Sequence, residues 1–484
     1  MTTTDHVLHR SIGRSRGTTI GHALWFALVA FVWTANTSGL ISSNDGSHLA
    51  LARALVLRAR APIDPDRALT LEVDLAERDG HAYSDRPPGT AFAALPAVWL
   101  GDRLDPRMLA RAMEQARAGR EVEPLPGARP YITTYAARTA AGSTGPKLAA
   151  LIGSSIAISI HAVLIGLLGL ALIDRLLLRG LEIDARGRLF AVGTIALATA
   201  WGPYSTTLFA HVSAATAVAG FLLGIVELGR GDPGRKVAML TGLAGAWAIA
   251  CDYLLLLAIV PAAALTIPWR RWAEVGLGAL PIVIATLAYH SVAFGSPLAV
   301  GYDHHSNFAF ARERGSTFSG NLLDGLWTLW GLGRGAGVLA QAPIVLVGLA
   351  VLVGVGSRRR GDRGQPIAIL TRALLGFVPW MLALALHRTP WGGGTGDHRY
   401  LIPILPFAAV GLALGWTRAT PALRIAGLGL ALASAVLVWR HFWAWHEAAP
   451  FARPGLAALV AGSLLLVLVV ALEAAARLTR KHAP

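Results

Sequence analysis

Residues 43–64, SNDGSHLALARALVLRARAPID, and residues 78–89, RDGHAYSDRPPG, are the two ends of a polar stretch that decides the fold. The stretch follows the first strongly apolar segment of a mostly apolar chain. Its first end contains Asp45 and His48, and its second end contains Asp85 and Arg86 before two prolines. Charge at membrane depth is costly, so ionisable groups in such a chain are candidates for function.

Composition places the chain in the polytopic membrane class. Of its 484 residues, 54% are hydrophobic and 15% are charged, whereas a soluble domain carries about 25% charge. Many apolar runs approach 20 residues, the length of a transmembrane helix. The alternation over about ten residues that an outer-membrane barrel needs is missing from the sequence. We therefore predict an all-α polytopic membrane protein.

The net charge of +15 would suggest nucleic-acid binding in a soluble protein. Here the arginines cluster at the ends of apolar segments, as membrane topology requires. We therefore predict no nucleic-acid partner. The single cysteine, Cys251, excludes an internal disulfide and a cysteine metal site.

About twelve membrane spans are predicted, the first of them an uncleaved helix because no small-residue cleavage site follows it. The pair 237–251 and 253–268 is short for two crossings at about 1.5 Å per residue. The spans are 20–42, 147–174, 189–207, 208–228, 237–251, 253–268, 274–294, 336–356, 367–387, 401–416, 422–439 and 455–476.

The distribution of Lys and Arg sets the orientation. With the N-terminus in the cytoplasm, most basic residues outside the long first loop fall on the cytoplasmic side, as the positive-inside rule requires. The prediction is a cytoplasmic tail 1–19, a transmembrane domain 20–476 with a first outer loop 43–147, and a cytoplasmic tail 477–484. We expect the protein in the cytoplasmic (plasma) membrane.

Two parts of the first outer loop are predicted to be helical. Residues 89–101 are apolar but only 13 long, which suits an interfacial or re-entrant helix on the outer side. Residues 105–120 are predicted to be partly helical.

Acids, histidines or both occur in five separate predicted outer loops. Several such groups on one face of a membrane protein indicate a site there. They are Asp45, His48, Asp85, Arg86, Tyr204, His211, Asp252, Tyr253, Asp303, His304, His305, Asp397, His398, Arg399 and Tyr400, with Trp391 beside the last group.

Each of these residues has a structural alternative. Asp45 suits a turn or a helix N-cap as well as catalysis. Asp252 lies in the apolar run AIACDYLLLLAIV, and a buried acid needs a partner. His211 suits a core histidine as well as a ligand. Arg86 and Arg399 suit snorkelling anchors as well as phosphate ligands.

The pattern SNDGSHLALARAL, then YSDRPPG, then an apolar stretch, resembles the GT-C superfamily of polyprenyl-phosphate-sugar glycosyltransferases. Within it, the protein O-mannosyltransferase and lipid A aminoarabinose transferase branch is similar. There an acid follows the first helix, matched by Asp45, and an acid–basic–Pro–Pro run follows, matched by 85–88. GPYSTTLFAH, AYHSVAFGSPLAVGY and HRYLIPILPF also look like segments of bacterial relatives, and the resemblance covers roughly 20–416.

The resemblance implies a bundle of about 12 transmembrane helices with juxtamembrane helices in the first extracytoplasmic loop. It implies a hexosyl- or pentosyltransferase, mannosyltransferase-like, with a polyprenyl-phosphate sugar as donor. The sugar would move, usually with inversion, to a hydroxyl of a glycan, glycolipid or protein at the extracytoplasmic face. Membrane lipid and the lipid-linked donor are the expected partners.

The resemblance also suggests roles for residues. An inverting transfer needs a carboxylate to take the acceptor proton, and we predict Asp45 as this base. A departing lipid phosphate needs cations, and we predict Arg86 and Arg399. The supporting residues are His48, Tyr83, Asp85, His211, Asp252, Asp397 and His398.

Some relatives depart from this sequence. They carry a second acid at the outer end of helix 3, where this chain reads WGPYSTTLFAH without an acid, and Asp252 is the candidate substitute. Asp85 and His211 match positions that hold a metal in some relatives. A divalent metal is compatible with these residues, but we commit to none.

Two other classes of protein fit the sequence less well. A transporter or lipid-linked-sugar flippase would favour inverted repeats and broken helices near the midplane. The polar groups here gather at the outer ends of helices instead, which favours the transferase. An enzyme like the O-antigen ligases or polymerases would lack the early Asp and the Arg-Pro-Pro run.

Overall fold

The computed structural model describes residues 21–34 except 22, residue 36, and residues 42–103, 146–231, 233–358, 365–392 and 396–445. The described chain is an all-α polytopic membrane protein, as predicted. Its first ten helices are α1 (Ala23–Thr34), α2 (Ser43–Arg58), α3 (Gly89–Gly101), α4 (Pro146–Arg175), α5 (Ala185–Ala198), α6 (Trp201–Tyr204), α7 (Ala210–Arg230), α8 (Arg235–Cys251), α9 (Leu256–Thr266) and α10 (Trp272–Phe294).

The second half of the described chain is also helical. Its helices are α11 (Ala309–Arg312), α12 (Arg314–Thr317), α13 (Leu322–Trp330), α14 (Val338–Gln341), α15 (Ile344–Ser357), α16 (Pro366–Gly376), α17 (Val378–Leu386), α18 (Leu405–Arg418) and α19 (Pro421–Trp445). Short 3-10 helices of three to seven residues include Asp64–Thr70, Tyr253–Leu255, Gly301–His304 and Arg399–Ile404.

Six described segments are long and apolar enough to cross a membrane: Ala157–Gly180, Ala210–Arg230, Trp269–Phe294, Pro366–Leu386, Arg399–Arg418 and Pro421–Phe442. Shorter apolar helices occupy three further predicted spans, at Ala23–Thr34, Tyr253–Thr266 and Ile344–Ser357. The predicted count of about twelve is therefore not confirmed. The predicted span 455–476, both tails and the helix at 105–120 lie outside the described residues.

Helices α8 and α10 pack closely because glycines face the partner backbone. A Cβ at Gly242 would lie 1.8 Å from the carbonyl oxygen of Val275, and one at Gly278 would lie 1.9 Å from that of Met239. Small residues allow such approach between membrane helices, where packing replaces the hydrophobic effect as the driving force. The two helices therefore form a fixed wall.

The segment that was predicted to be the first outer loop has its own small core. Leu49 and Leu51 of α2 are fully buried together with Ile63 and Leu75, and Val98 of α3 joins them. Burying a large aliphatic side chain contributes about 1.5–3 kcal/mol. The loop is thus a packed layer rather than a loose connection.

A β-hairpin within this layer connects it to a distant part of the chain. Strands β1 (Ala76–Arg78) and β2 (His81–Tyr83) pair antiparallel. The turn residues Asp79 and Gly80 have φ of +52° and +78°, the left-handed pair that favours an Asp-Gly hairpin turn. Ala76 also forms a β-bridge with His305, which brings the segment after α10 beside the hairpin.

Candidate active site

Asp45 lies in the first turn of α2 and closes a capping box with Ser42. Its Oδ1 accepts hydrogen bonds from the Ser42 backbone N–H (2.8 Å) and from Ser42 Oγ (2.9 Å). This reciprocal arrangement satisfies donors that a helix N-terminus otherwise leaves unpaired. The helix-capping alternative for Asp45 is therefore realised, while its predicted catalytic role stays a prediction.

Asp85 and Arg86 form a buried charge cluster with Asp74. Arg86 contacts an oxygen of Asp74 through Nη2, and its Nε lies 3.4 Å from Asp85 Oδ2. Ser47 Oγ donates to Asp85 Oδ1 at 3.2 Å, and Ser43 Oγ donates to Asp74 Oδ2 at 2.6 Å. The two serines come from the first turns of α2, so the capped end of this helix supports the cluster.

The electrostatics of the cluster follow from its burial. Burial raises the pKa of Asp85, and the neighbouring Arg86 only partly offsets this rise. Burial alone would lower the pKa of Arg86, but the carboxylates of Asp74 and Asp85 outweigh it and hold that pKa well above its usual value. Arg86 is thus a permanent cation whose side chain is 20% exposed.

The β-bridge between Ala76 and His305 places His305 next to Asp85. Its Nε2 lies 3.6 Å from Asp85 Oδ2, and both side chains are buried. Burial, followed by the charge of Arg86, lowers the pKa of His305 to about 4. The imidazole is therefore neutral and able to act as a metal ligand.

Asp74, Asp85 and His305 are the described residues that could hold a metal ion. One ligand atom from each lies within 4.8 Å of the others. Oδ2 of Asp85 is buried and accepts no hydrogen bond from the described residues, which leaves it available. Two carboxylates and an imidazole suit Zn²⁺ or Mn²⁺. His211, the other predicted metal candidate, is not in this group.

His48 faces the same region from α2. Its side chain is fully buried, and neither ring nitrogen has a hydrogen-bond partner among the described residues. Burial, and then the charge of Arg86, lowers the pKa of His48 to about 3. A neutral imidazole with both nitrogens unpaired is a costly arrangement, which marks His48 as a candidate ligand-contacting residue.

The second arginine, Arg399, is held by Asp397, two residues before it in the chain. The Arg399 backbone N–H and Nη1 donate to Asp397 Oδ1 at 3.1 and 3.3 Å, and Nη2 donates to the Gly392 carbonyl. Tyr204 donates its hydroxyl to the other oxygen of Asp397. His398 points elsewhere, with Nδ1 3.0 Å from Gln341 Oε1. Asp397 therefore holds Arg399 in place.

His211, at the start of α7, packs beside Arg399. Its ring meets Tyr400 edge-on at 5.3 Å between centroids, and the Arg399 guanidinium lies 5.1 Å from the same Tyr400 ring. The positive charges of Arg399 and Arg86 both interact electrostatically with His211. The two predicted phosphate ligands and His211 thus line the same cavity.

Asp252 follows α8 directly. Its Oδ1 accepts the Leu254 N–H at 3.0 Å, which caps the short helix Tyr253–Leu255. Burial raises the pKa of Asp252 to about 6, and the Leu254 hydrogen bond opposes this rise. Next to it, Tyr253 and His290 are 2.6 Å apart through the phenol oxygen and Nε2.

One cavity of about 1330 Å³ joins these groups. Its polar end is lined by His48, Asp85, Arg86, His211, Asp252 and Arg399. An apolar arm continues from there between α8, α9 and α10, along Gly242, Gly245, Ile259, Ala263, Ala279 and Val283. The volume exceeds the roughly 300–1,000 Å³ of ordinary small-molecule sites, so the cavity has room for a large amphipathic molecule.

Some predicted site residues lie outside the cavity wall. Among the described residues, Asp45, Tyr83, Asp397 and His398 do not line it. Tyr83 packs on Phe294 at 5.8 Å between ring centroids, in the core of the outer layer. Any effect of these four residues on the cavity is therefore indirect, through the residues that line it.

Sequence reasoning missed Asp74 and Tyr302, and left His305 as one of three adjacent candidates. Asp74 occurs in an ordinary polar connector, LEVDLAER, with no local signal. Tyr302 lines the cavity, and its phenol is within electrostatic reach of Arg86, Asp85 and Asp252. The run YDHH at 302–305 was a visible signal for Tyr302 and His305.

The all-α polytopic membrane fold of this chain has a counterpart among solved structures. The chain is similar to the apo crystal structure of ArnT from Cupriavidus metallidurans, with a TM-score of 0.50 and 14% identity over 94% of this chain and 76% of ArnT. The crystal structure of ArnT bound to undecaprenyl phosphate gives a TM-score of 0.49 and 14% identity over 93% and 76%. No family model and no curated protein matches the sequence. The similarity to ArnT therefore establishes the fold.

Proposed function

We propose that this protein is a membrane glycosyltransferase that moves a sugar from a polyprenyl-phosphate donor to an acceptor hydroxyl. The observation that supports it is the shape of the cavity, in which Arg86 and Arg399 stand at the head of an apolar arm. Arginines bind phosphate oxygens through a planar fork of donors. An apolar arm suits the prenyl chain of the same molecule.

Transfer takes place at the extracytoplasmic end of the bundle and inverts the anomeric carbon. The acceptor hydroxyl attacks this carbon, the bond to the phosphate oxygen breaks, and the acceptor proton passes to a carboxylate. Arg86 and Arg399 balance the charge that develops on the departing phosphate. The resemblance to the GT-C family suggests Asp45 as base, whereas its capping box favours a positioning role.

A divalent metal at Asp74, Asp85 and His305 would add positive charge for the donor phosphate. Arg86 already contacts both carboxylates, so a metal there would share these ligands with the guanidinium. These three side chains could bind a divalent metal, but the proposed transfer does not require one.

The test uses the purified chain with undecaprenyl-phosphate-linked mannose, glucose and 4-amino-arabinose, each with a radiolabelled sugar. Isolated envelopes of a strain lacking the gene serve as acceptor. We expect one donor to lose its sugar to the envelope and release undecaprenyl phosphate. In the strain lacking the gene, mass spectrometry of lipid extracts should show the same donor accumulating. If the protein moves intact donor between leaflets of vesicles without any sugar transfer, the flippase alternative replaces this proposal.

A further inference from the structure

Asp252 presents a carboxylate oxygen to the cavity. Oδ1 accepts the Leu254 N–H, and among the described residues no other hydrogen bond or ion pair reaches this side chain. The residue is half-buried and lines the cavity wall. Oδ2 is therefore the oxygen that a bound molecule can meet.

The other described acids in the cavity wall are already engaged. Asp74 and Asp85 hold Arg86 and accept hydrogen bonds from serines. Asp303 accepts the Val300 N–H at 3.0 Å in a capping box. Asp252 differs from Asp74 and Asp85 because its only described partner is one backbone N–H.

A close backbone contact joins the two segments that carry Arg86 and Asp252. A Cβ at Gly89 would lie 2.6 Å from the carbonyl carbon of Ala250 and 2.7 Å from the nitrogen of Cys251. The start of α3, directly after Arg86 and two prolines, therefore rests on the last turn of α8, directly before Asp252. Both side chains leave this shared contact and reach the same cavity.

Tyr302 is near both groups. Its phenol is within electrostatic reach of Arg86, Asp85 and Asp252. Its neighbour Gly301 packs on the backbone of Asp85, where a Cβ would lie 2.6 Å from the Asp85 Cα. The cavity wall thus carries Tyr302, the proposed phosphate ligand Arg86 and the Asp252 carboxylate together.

We propose that Asp252 is the general base that takes the proton from the acceptor hydroxyl. This inference rests on the proposed function. As the acceptor oxygen forms its bond to the anomeric carbon, its proton moves to Asp252 Oδ2. The electron pair of the broken bond stays on the phosphate oxygen, next to Arg86. The proton then leaves to solvent, and the carboxylate is restored.

The environment of the carboxylate suits this task. Its pKa of about 6 keeps it ionised near pH 7.5 and makes it a stronger base than a solvated Asp, whose pKa is about 3.9. The titratable and charged groups around it are Cys251 and Tyr253 along the chain and Tyr302, whose phenol is also within electrostatic reach of Asp85 and Arg86.

The experiment compares Asp252→Asn with Asp252→Glu and with the control Asp324→Asn, which alters an exposed acid in the first turn of α13. Asn keeps the acceptor for the Leu254 N–H and removes the base. With the active undecaprenyl-phosphate sugar, we expect Asp252→Asn to lower kcat by about 10²–10⁴-fold and to leave donor KM nearly unchanged. Asp252→Glu should keep partial activity, and the control should match the unaltered protein.

The pH profile separates a base from a structural residue. In the unaltered protein the rate should rise with pH through about 6 and then level off, because the base must be deprotonated. The residual rate of Asp252→Asn should lack this rise. Full activity in Asp252→Asn, or a loss that appears in donor KM alone, overturns the role. If the unaltered protein transfers no sugar, the proposed function fails instead, independently of the variants.

Discussion

Ser42 and Asp45 bind each other at the start of α2, with Asp45 Oδ1 accepting both the backbone N–H and the Oγ hydrogen of Ser42. This contact fixes where the helix begins. Because it does, Ser43, Ser47 and His48 point toward the charge cluster and the cavity. The acid that looks catalytic in the sequence thus organises its neighbours.

Changing Asp45 should therefore affect stability first. Asp45→Ala removes the capping acceptor and should lower the free energy of unfolding by about 0.5–2 kcal/mol. Asp45→Asn keeps a side-chain oxygen for Ser42, so we expect near-normal thermal stability in detergent and most of the sugar-transfer rate. A loss of transfer as large as that of Asp252→Asn would return the role of base to Asp45, as the family resemblance predicts.

Arg86 should control donor affinity. Arg86→Lys keeps a cation between Asp74 and Asp85 but loses the planar fork. We expect donor KM to rise by about tenfold, since a hydrogen bond to a charged group contributes about 1.5–3 kcal/mol. The assay is the transfer rate against donor concentration. Arg103→Lys, which alters an arginine over the Trp99 ring at the end of α3, is the matched control, and an equal effect there would remove Arg86 from the phosphate site.

Tyr204 should affect donor binding indirectly, because it hydrogen-bonds Asp397, which in turn holds Arg399. Tyr204→Phe leaves one buried oxygen of Asp397 without its hydroxyl partner, which costs about 1–3 kcal/mol. Arg399 should then be held less firmly, and donor KM should rise along with a lower melting temperature. Tyr289→Phe is the control, because its buried hydroxyl has no hydrogen-bond partner among the described residues. An unchanged donor KM in Tyr204→Phe would show that Asp397 does not position Arg399 for the donor.

A divalent cation should stabilise the protein through His305. If Asp74, Asp85 and His305 bind it, adding Mn²⁺ or Zn²⁺ at 100 times its Kd should raise stability by about 2.7 kcal/mol. The melting temperature after chelation and after metal addition measures this directly. His305→Ala should lose the response. His304→Ala should keep it, because the His304 ring stacks on Phe294 instead. Equal responses in both variants would place the metal elsewhere.

Much of the fold was predictable because its signals are local. The low charge and the long apolar runs identified a helical membrane protein. The 13-residue apolar segment is the helix Gly89–Gly101, and the first polar residues form a capped helix. The number of spans was not predictable in the same way, since helices such as α5 and α15 have only 14 residues each.

The site was predictable only in part. Sequence reasoning named Arg86, Arg399, His48, His211 and Asp252, and the structure brings all five to one cavity. It named Tyr83 and His398 as well, which contact other parts of the fold. Residue type and neighbouring polarity mark a candidate, but they do not give the direction in which its side chain points.

The sequence alone determined the membrane-helical class and named the candidate residues, because composition, periodicity and capping act over a few neighbouring residues. Only the tertiary structure decided that His305 lies beside Asp85, that Gly89 rests on Ala250, and that Asp252 faces the cavity. These pairs are far apart along the chain. Their meeting depends on how whole helices pack, and no local pattern of residues encodes that packing.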